Sequence, residues 1–139
     1  MRTNADLLLD TSAAVPFVVR GHDAHEETRA ALRGKALGLA GHAAFETLSV
    51  LTRLPAPNRV SVATAARILQ HNFPHTAHLS ARRASSLLSV FGAADVAGGS
   101  VYDGLVATAA LEHGRPLVTR DVRAVRTYEA LGVEVLLLG

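Results

Sequence analysis

Short apolar runs alternate with amphipathic stretches along the chain, and that alternation predicts its elements. Leu7-Leu8-Leu9 is a brief apolar run closed by Asp10 and reads as a buried strand. A helix is expected over residues 12 to 20, with Pro16 either kinking it or delaying its start. A polar helix follows at about 23 to 33, closed by Gly34, and Ala36 to Ala40 form a second apolar run between glycines. Residues 42 to 54 make a helix ended by Pro55, and Pro55-Ala56-Pro57-Asn58 is a loop. Further helices are expected over 61 to 71, stopped near Pro74, and over 80 to 91. Gly98-Gly99-Ser100 introduces a helix over 101 to 113 that Gly114 and Pro116 stop. Leu117-Val118-Thr119 is a strand, 121 to 131 a helix ended by Gly132, and Val133 to Leu138 the final strand.

Strands this short, apolar on both faces and separated by helices, predict an α/β fold with a short central parallel sheet covered on both sides. The 139 residues read as one domain, 1 to 139, without an internal repeat or long linker. In such sheets ligands bind beyond the carboxyl ends of the strands. Asp10 and Asp121 both fall just past predicted strand ends, so this architecture brings them to one edge.

Composition narrows the chemistry. Apolar residues make up 49% of the chain but aromatics only 4%, so the core is built from Leu, Val and Ala. The absence of cysteine excludes disulfides, thiolate nucleophiles and cysteine-ligated zinc, and fits a reducing cytoplasm. The N-terminus has too short an apolar run for a signal peptide, and no apolar stretch reaches the roughly 18 residues that span a bilayer. The net charge is only +2, yet the basic residues are Arg throughout except for Lys35. Arginine suits phosphate oxygens, and acids gathered in one pocket would leave the remaining surface more basic. Genome-wide replacement of Lys by Arg explains the same bias.

Four acids carry the candidate chemistry. Asp10 and Asp121 each precede a helix, so each is also placed to be an ordinary N-cap. Asp103 lines up with Val106, Ala107, Ala110 and Gly114, the face packed against the sheet, whereas Thr108 and Glu112 represent the exposed side. An aspartate aligned with a packed face is unusual, since unpaired carboxylates are seldom buried. Glu46 lies on a polar stripe with His42, Ser49 and Arg53, beside the apolar arc of its helix, and spacing alone favours a solvated pair with Arg53. Converging carboxylates repel one another unless a divalent cation sits between them. Magnesium takes oxygen ligands, keeps several waters and is typically held by one or two carboxylates. A pair of such ions about 4 Å apart activates water and stabilises the leaving oxygen of a phosphodiester.

Leu-Leu-Leu-Asp10-Thr11-Ser12, Phe45-Glu46, Gly98-Gly99-Ser-Val-Tyr102-Asp103 and Val118-Thr119-Arg120-Asp121 resemble, in order, the successive motifs of PIN-domain ribonucleases. In length and layout the chain is most similar to the VapC type, the toxin half of bacterial toxin–antitoxin pairs. The resemblance implies a three-layer α/β/α PIN-like fold and endoribonuclease activity dependent on Mg2+ or Mn2+. It also implies dimerisation, and inhibition by a VapB-like antitoxin whose C-terminal segment covers the acidic pocket. Carried across, Asp10 and Asp103 are direct metal ligands, Glu46 and Asp121 complete the pocket directly or through water, and Thr11, Ser12 and Thr119 supply supporting hydroxyls. Two departures are Pro16 in the first helix and Gly104 directly after Asp103, where Gly costs roughly 1 kcal/mol relative to Ala.

Competing sites carry weaker signals. His71 and His75 have the i, i+4 spacing of a zinc pair, but Pro74 lies between them. His42 and Glu46 also stand four apart. Gly98-Gly99 lacks the rest of a phosphate-binding fingerprint and reads as a tight turn, and Asp95 reads as a loop acid. Arg82-Arg83 suits RNA or an antitoxin, and equally a solvated helix face. A haloacid-dehalogenase-type phosphatase needs an acid where Ser12 stands, and a receiver domain needs paired N-terminal acids and a late lysine. A non-catalytic RNA- or protein-binding module on the same scaffold is the remaining alternative.

Overall fold

The sheet is read most directly from where alternate strand residues go. In the computed structural model, which describes residues 3–139, the chain runs β1 (Leu7–Leu9), α1 (Thr11–Val18), α2 (His25–Ala31), β2 (Leu37–Leu39), α3 (Ala43–Thr52), α4 (Val62–Asn72), α5 (Ala81–Ala94), α6 (Ser100–His113), β3 (Leu117–Thr119), α7 (Val122–Ala130) and β4 (Val135–Leu137). The four strands form one sheet in the order β2-β1-β3-β4, and every pairing is parallel. Successive side chains of a strand point to opposite faces. Leu8 and Leu117 therefore join one core, with Val106, Ala107 and Ala110 of α6 and Ala124 and Tyr128 of α7. Leu9 and Val118 join the other, with Ala13, Ala14 and Phe17 of α1, Leu51 of α3, and Ala65 and Leu69 of α4. The result is the three-layer α/β/α arrangement expected from the pattern.

Differences from expectation have local causes. The first helix begins at Thr11 rather than being delayed, because Asp10 caps it by accepting from the Ala13 N–H. Pro16 lies inside that helix, which ends at Val18, and the His25 Nδ1 meets the Pro16 carbonyl at 2.8 Å. The fifth helix runs three residues further than expected, to Ala94, and closes on Asp95 in the left-handed conformation. Thr108 is buried rather than exposed, its hydroxyl donating to the Gly104 carbonyl at 2.7 Å. The sixth helix is covered nearly all round, so periodicity could not mark its outer side. Gly104, unexpected in a helix, is where the Phe91 ring of α5 crosses: a Cβ there would lie 2.7 Å from the ring edge.

The outer side of β2 is occupied by residues 75–77. His75 N–H donates to the Leu37 carbonyl and Ala77 N–H to that of Leu39, with an isolated parallel bridge between Ala40 and Ala77. This close approach requires Gly38, whose added Cβ would fall inside the His75 carbonyl. Backbone, unlike a flexible side-chain tip, has little freedom to move away. Gly38→Ala should therefore destabilise the protein by about 1–3 kcal/mol or more, as overpacking does, measured by denaturant unfolding. Wild-type stability in this variant would show that the segment is not locked onto β2.

Candidate active site

Strand register builds the site. Leu9 pairs with Val118, and the Asp10 N–H donates to the Val118 carbonyl at 3.0 Å. Asp10 therefore leaves β1 level with Thr119, two residues before Asp121. The chain proceeds from β1 to β2 on one side and returns to β3 on the other, so the carboxyl ends of β1 and β3 form the switch point where open α/β sheets bind ligands. Both aspartates cap helices there: Asp10 caps α1, and Asp121 caps α7 by accepting from the Arg123 N–H at 3.0 Å.

Asp10 is only 4% exposed. Its Oδ1 accepts from the Ser12 hydroxyl at 2.6 Å and the Ala13 N–H at 3.1 Å, and its Oδ2 accepts from the Tyr128 hydroxyl at 2.7 Å. Burial raises its pKa, and these donors, Ser12 foremost, pull the other way. Tyr128, wholly buried on α7, was not singled out in the sequence. Its placement four and seven residues after Ala124 and Asp121 puts all three on one face, which was the available signal. Burial first, and the negative Asp10 second, hold its phenol above its ordinary range, so it remains a donor.

The supporting hydroxyls divide. Ser12 Oγ lies 3.1 Å from Thr119 Oγ1 and accepts from the Arg120 N–H at 2.8 Å, while Thr119 Oγ1 accepts from the Asp121 N–H at 3.0 Å. Ser12 and Thr119 thus tie the two aspartate-bearing turns together. Thr11 instead faces α3, accepting from the buried Thr47 hydroxyl at 3.2 Å. Thr47, also missed in the sequence, links the first and third helices behind Asp10.

Asp103 lies half-buried in the first turn of α6, among buried Val106, Ala107 and Ala110 as its spacing predicted. Burial raises its pKa to about 6, reinforced by the negative charges of Asp121, Glu46 and Asp10 and opposed by Arg123. The Glu46 carboxyl is raised by burial and by Asp10, and lowered by His42. Its ionic neighbour is His42, at 3.9 Å, and not Arg53, whose Nε donates to Ser49 Oγ. Arg123, almost fully exposed, lies 3.6 Å from Asp121. The four acids therefore share one electrostatic neighbourhood, and none of the ion pairs among the described residues involves Asp10 or Asp103. They do not form a closed cage: among the described residues no three His, Asp or Glu side chains stand close enough to hold one ion together. An all-oxygen, net-negative, partly open set fits a hydrated magnesium or manganese ion better than zinc.

Residues 7–130 match the PIN domain family. Ribonuclease VapC27 of Mycobacterium tuberculosis is 46% identical over 130 residues, covering 94% of this chain and 95% of that protein. Ribonuclease VapC40 of the same species is 42% identical, covering 93% and 96%. The structure of VapBC2 from Rickettsia felis bound to a DNA fragment from their promoter shares the fold, with a TM-score of 0.65 at 12% identity over 96% of this chain and 98% of that one. The chain belongs to the PIN domain family, in its VapC branch.

The electrostatics predict a pH dependence. A carboxyl at about 6 when folded, against 3.8 ordinarily, lets the folded state bind a proton that the unfolded state releases. Its effect is therefore to lower stability as pH rises from about 4 to about 6. Without divalent ions, Asp103→Asn should melt above wild type at neutral pH, with the gap closing towards pH ~4. Equal melting at both pH values would remove the repulsion argument. Tyr128→Phe leaves the buried Asp10 Oδ2 without its phenol donor, and should cost about 1–3 kcal/mol in thermal unfolding. An unchanged melting temperature would show the bond to be dispensable.

Proposed function

We propose that this protein is a metal-dependent endoribonuclease, the toxin of a toxin–antitoxin pair, acting on RNA in the cytoplasm. The observation that carries the reading is the set of four carboxylates, from the ends of β1 and β3 and the first turns of α3 and α6, in one electrostatic neighbourhood at the switch point, where Asp121, Glu46 and Asp10 raise the pKa of Asp103 and Asp10 raises that of Glu46. The VapC ribonucleases among its relatives support the same activity. Asp10 and Asp103 would hold Mg2+ or Mn2+ directly, with Glu46 and Asp121 completing the shell directly or through water. The bound ion supplies a water acidic enough to yield hydroxide near neutral pH and positive charge against phosphodiester oxygens. The chain's own part is orientation. Ser12, the Ala13 N–H and Tyr128 fix both oxygens of Asp10, and Thr119 holds the turn that presents Asp121. Arg123, exposed beside Asp121, is placed to meet a phosphate.

The partner would be a VapB-like antitoxin, in keeping with the VapBC2 assembly among the solved neighbours. A homodimer would cover exposed apolar side chains such as Leu88 of α5. Purified protein should cut RNA with magnesium or manganese and stop on chelation. Asp10→Asn and Asp103→Asn should each lower the rate by more than about a hundredfold, beyond the loss expected from removing only an outer partner of a metal ligand. Circular dichroism should remain that of the wild type. Normal cutting by both variants would overturn the metal site, and folded wild type that cuts no RNA would favour the binding-module alternative.

A further inference from the structure

Resting on the ribonuclease reading for its substrate, we propose that two exposed aromatic–histidine stacks beside the acids form a platform for the bases of single-stranded RNA. The chain has four phenylalanines, two tyrosines and no tryptophan. Phe17, Phe73, Phe91 and Tyr128 are buried; Phe45 is 60% exposed and Tyr102 53%. Each exposed ring immediately precedes one of the acids, Phe45 before Glu46 and Tyr102 before Asp103. Each also stacks on a histidine: Tyr102 on His42 at 5.4 Å between centroids and 23° between planes, and Phe45 on His78 at 5.8 Å and 29°. With more than half of each residue open to solvent, ring surface remains for a further planar group.

The two stacks are joined by grooves. A cavity of about 320 Å³ is lined by His42, Phe45, Glu46 and Arg53, and one of about 310 Å³ continues past Phe45 to His78. Both are at the lower end of the size of ligand-holding clefts, roughly 300 Å³ and above. Phe45 is the wall they share. The far stack has a firm base, because the buried His113 Nε2 donates to the His78 carbonyl at 2.9 Å and the Gly41 N–H to that of Ala77 at 2.7 Å. Single-stranded RNA is recognised by stacking splayed bases on Phe, Tyr or His, and such stacking accepts any base because every base has a π-face. Arg53 adds a cation for the backbone. Tyr102–His42 adjoins Glu46 through His42 and precedes Asp103 in the chain, and would take the base next to the cut, while Phe45–His78 would take a base further along.

The test scans 2-aminopurine through a short single-stranded oligoribonucleotide. Binding is read by quenching in EDTA, and KM and kcat are then measured with manganese. Wild type should quench the probe at two positions. Tyr102→Ala should abolish one and Phe45→Ala the other, each raising KM about tenfold with a smaller change in kcat, while Tyr102→Phe retains the quench. Quenching without cleavage keeps the platform and overturns the ribonuclease reading. Cleavage without quenching, or with wild-type KM in both alanine variants, overturns the platform and leaves the ribonuclease reading standing; neither quenching nor cleavage overturns both. Alanine variants that bind RNA normally but no longer bind a co-expressed antitoxin would assign the rings to a protein partner and overturn the RNA platform.

Discussion

Taking a carboxylate out of water has a desolvation penalty on the order of several kcal/mol, and Asp10 is taken out of water almost completely. Three donors from two parts of the chain meet it: the Ser12 hydroxyl and the Ala13 N–H of the first helical turn, and Tyr128 from the far end of α7. Satisfying this one group fixes the start of the first helix and brings α7 against the β1 end. The Ser12–Thr119 contact then aligns the two turns at the switch point. Much of the geometry around the acids follows from giving a buried charge its partners.

The same economy recurs in Asp121. Capping a helix and presenting a carboxylate at a strand end need the same atom in the same place, so the dull and the functional explanations of Asp10 and Asp121 do not compete. Asp103 differs. Neither capping nor an ion pair accounts for it: burial raises its carboxyl, and the charges of Asp121, Glu46 and Asp10 raise it further. Glu46 sits between these cases, its charge eased by His42.

What the sequence made legible followed from periodicity and punctuation. The four apolar runs became the four parallel strands, and the glycine and proline stops placed most helix ends within a few residues. Asp103 stood out because a helix face has a calculable composition. Tyr128 and Thr47 did not, because a lone hydroxyl on a helix gives no sign of a partner more than thirty residues away. Thr108 was misplaced for a related reason: in α6 the buried arc covers almost the whole circumference, and periodicity loses its contrast. The Glu46–Arg53 pair was plausible by spacing, but Arg53 turned to Ser49 and left His42 as the glutamate's neighbour.

The segment at 75–77 has a consequence for assembly. It uses the hydrogen-bonding groups on the outer side of β2, and Pro74 precedes it, so that side offers little ladder for another strand. Among the described residues the free edge is β4, with Leu136 and Leu137 exposed. A sheet open at one side can join a second copy edge to edge about a two-fold axis, after which both edges are spent. Strand addition at that edge would therefore end at a pair instead of propagating into a fibre.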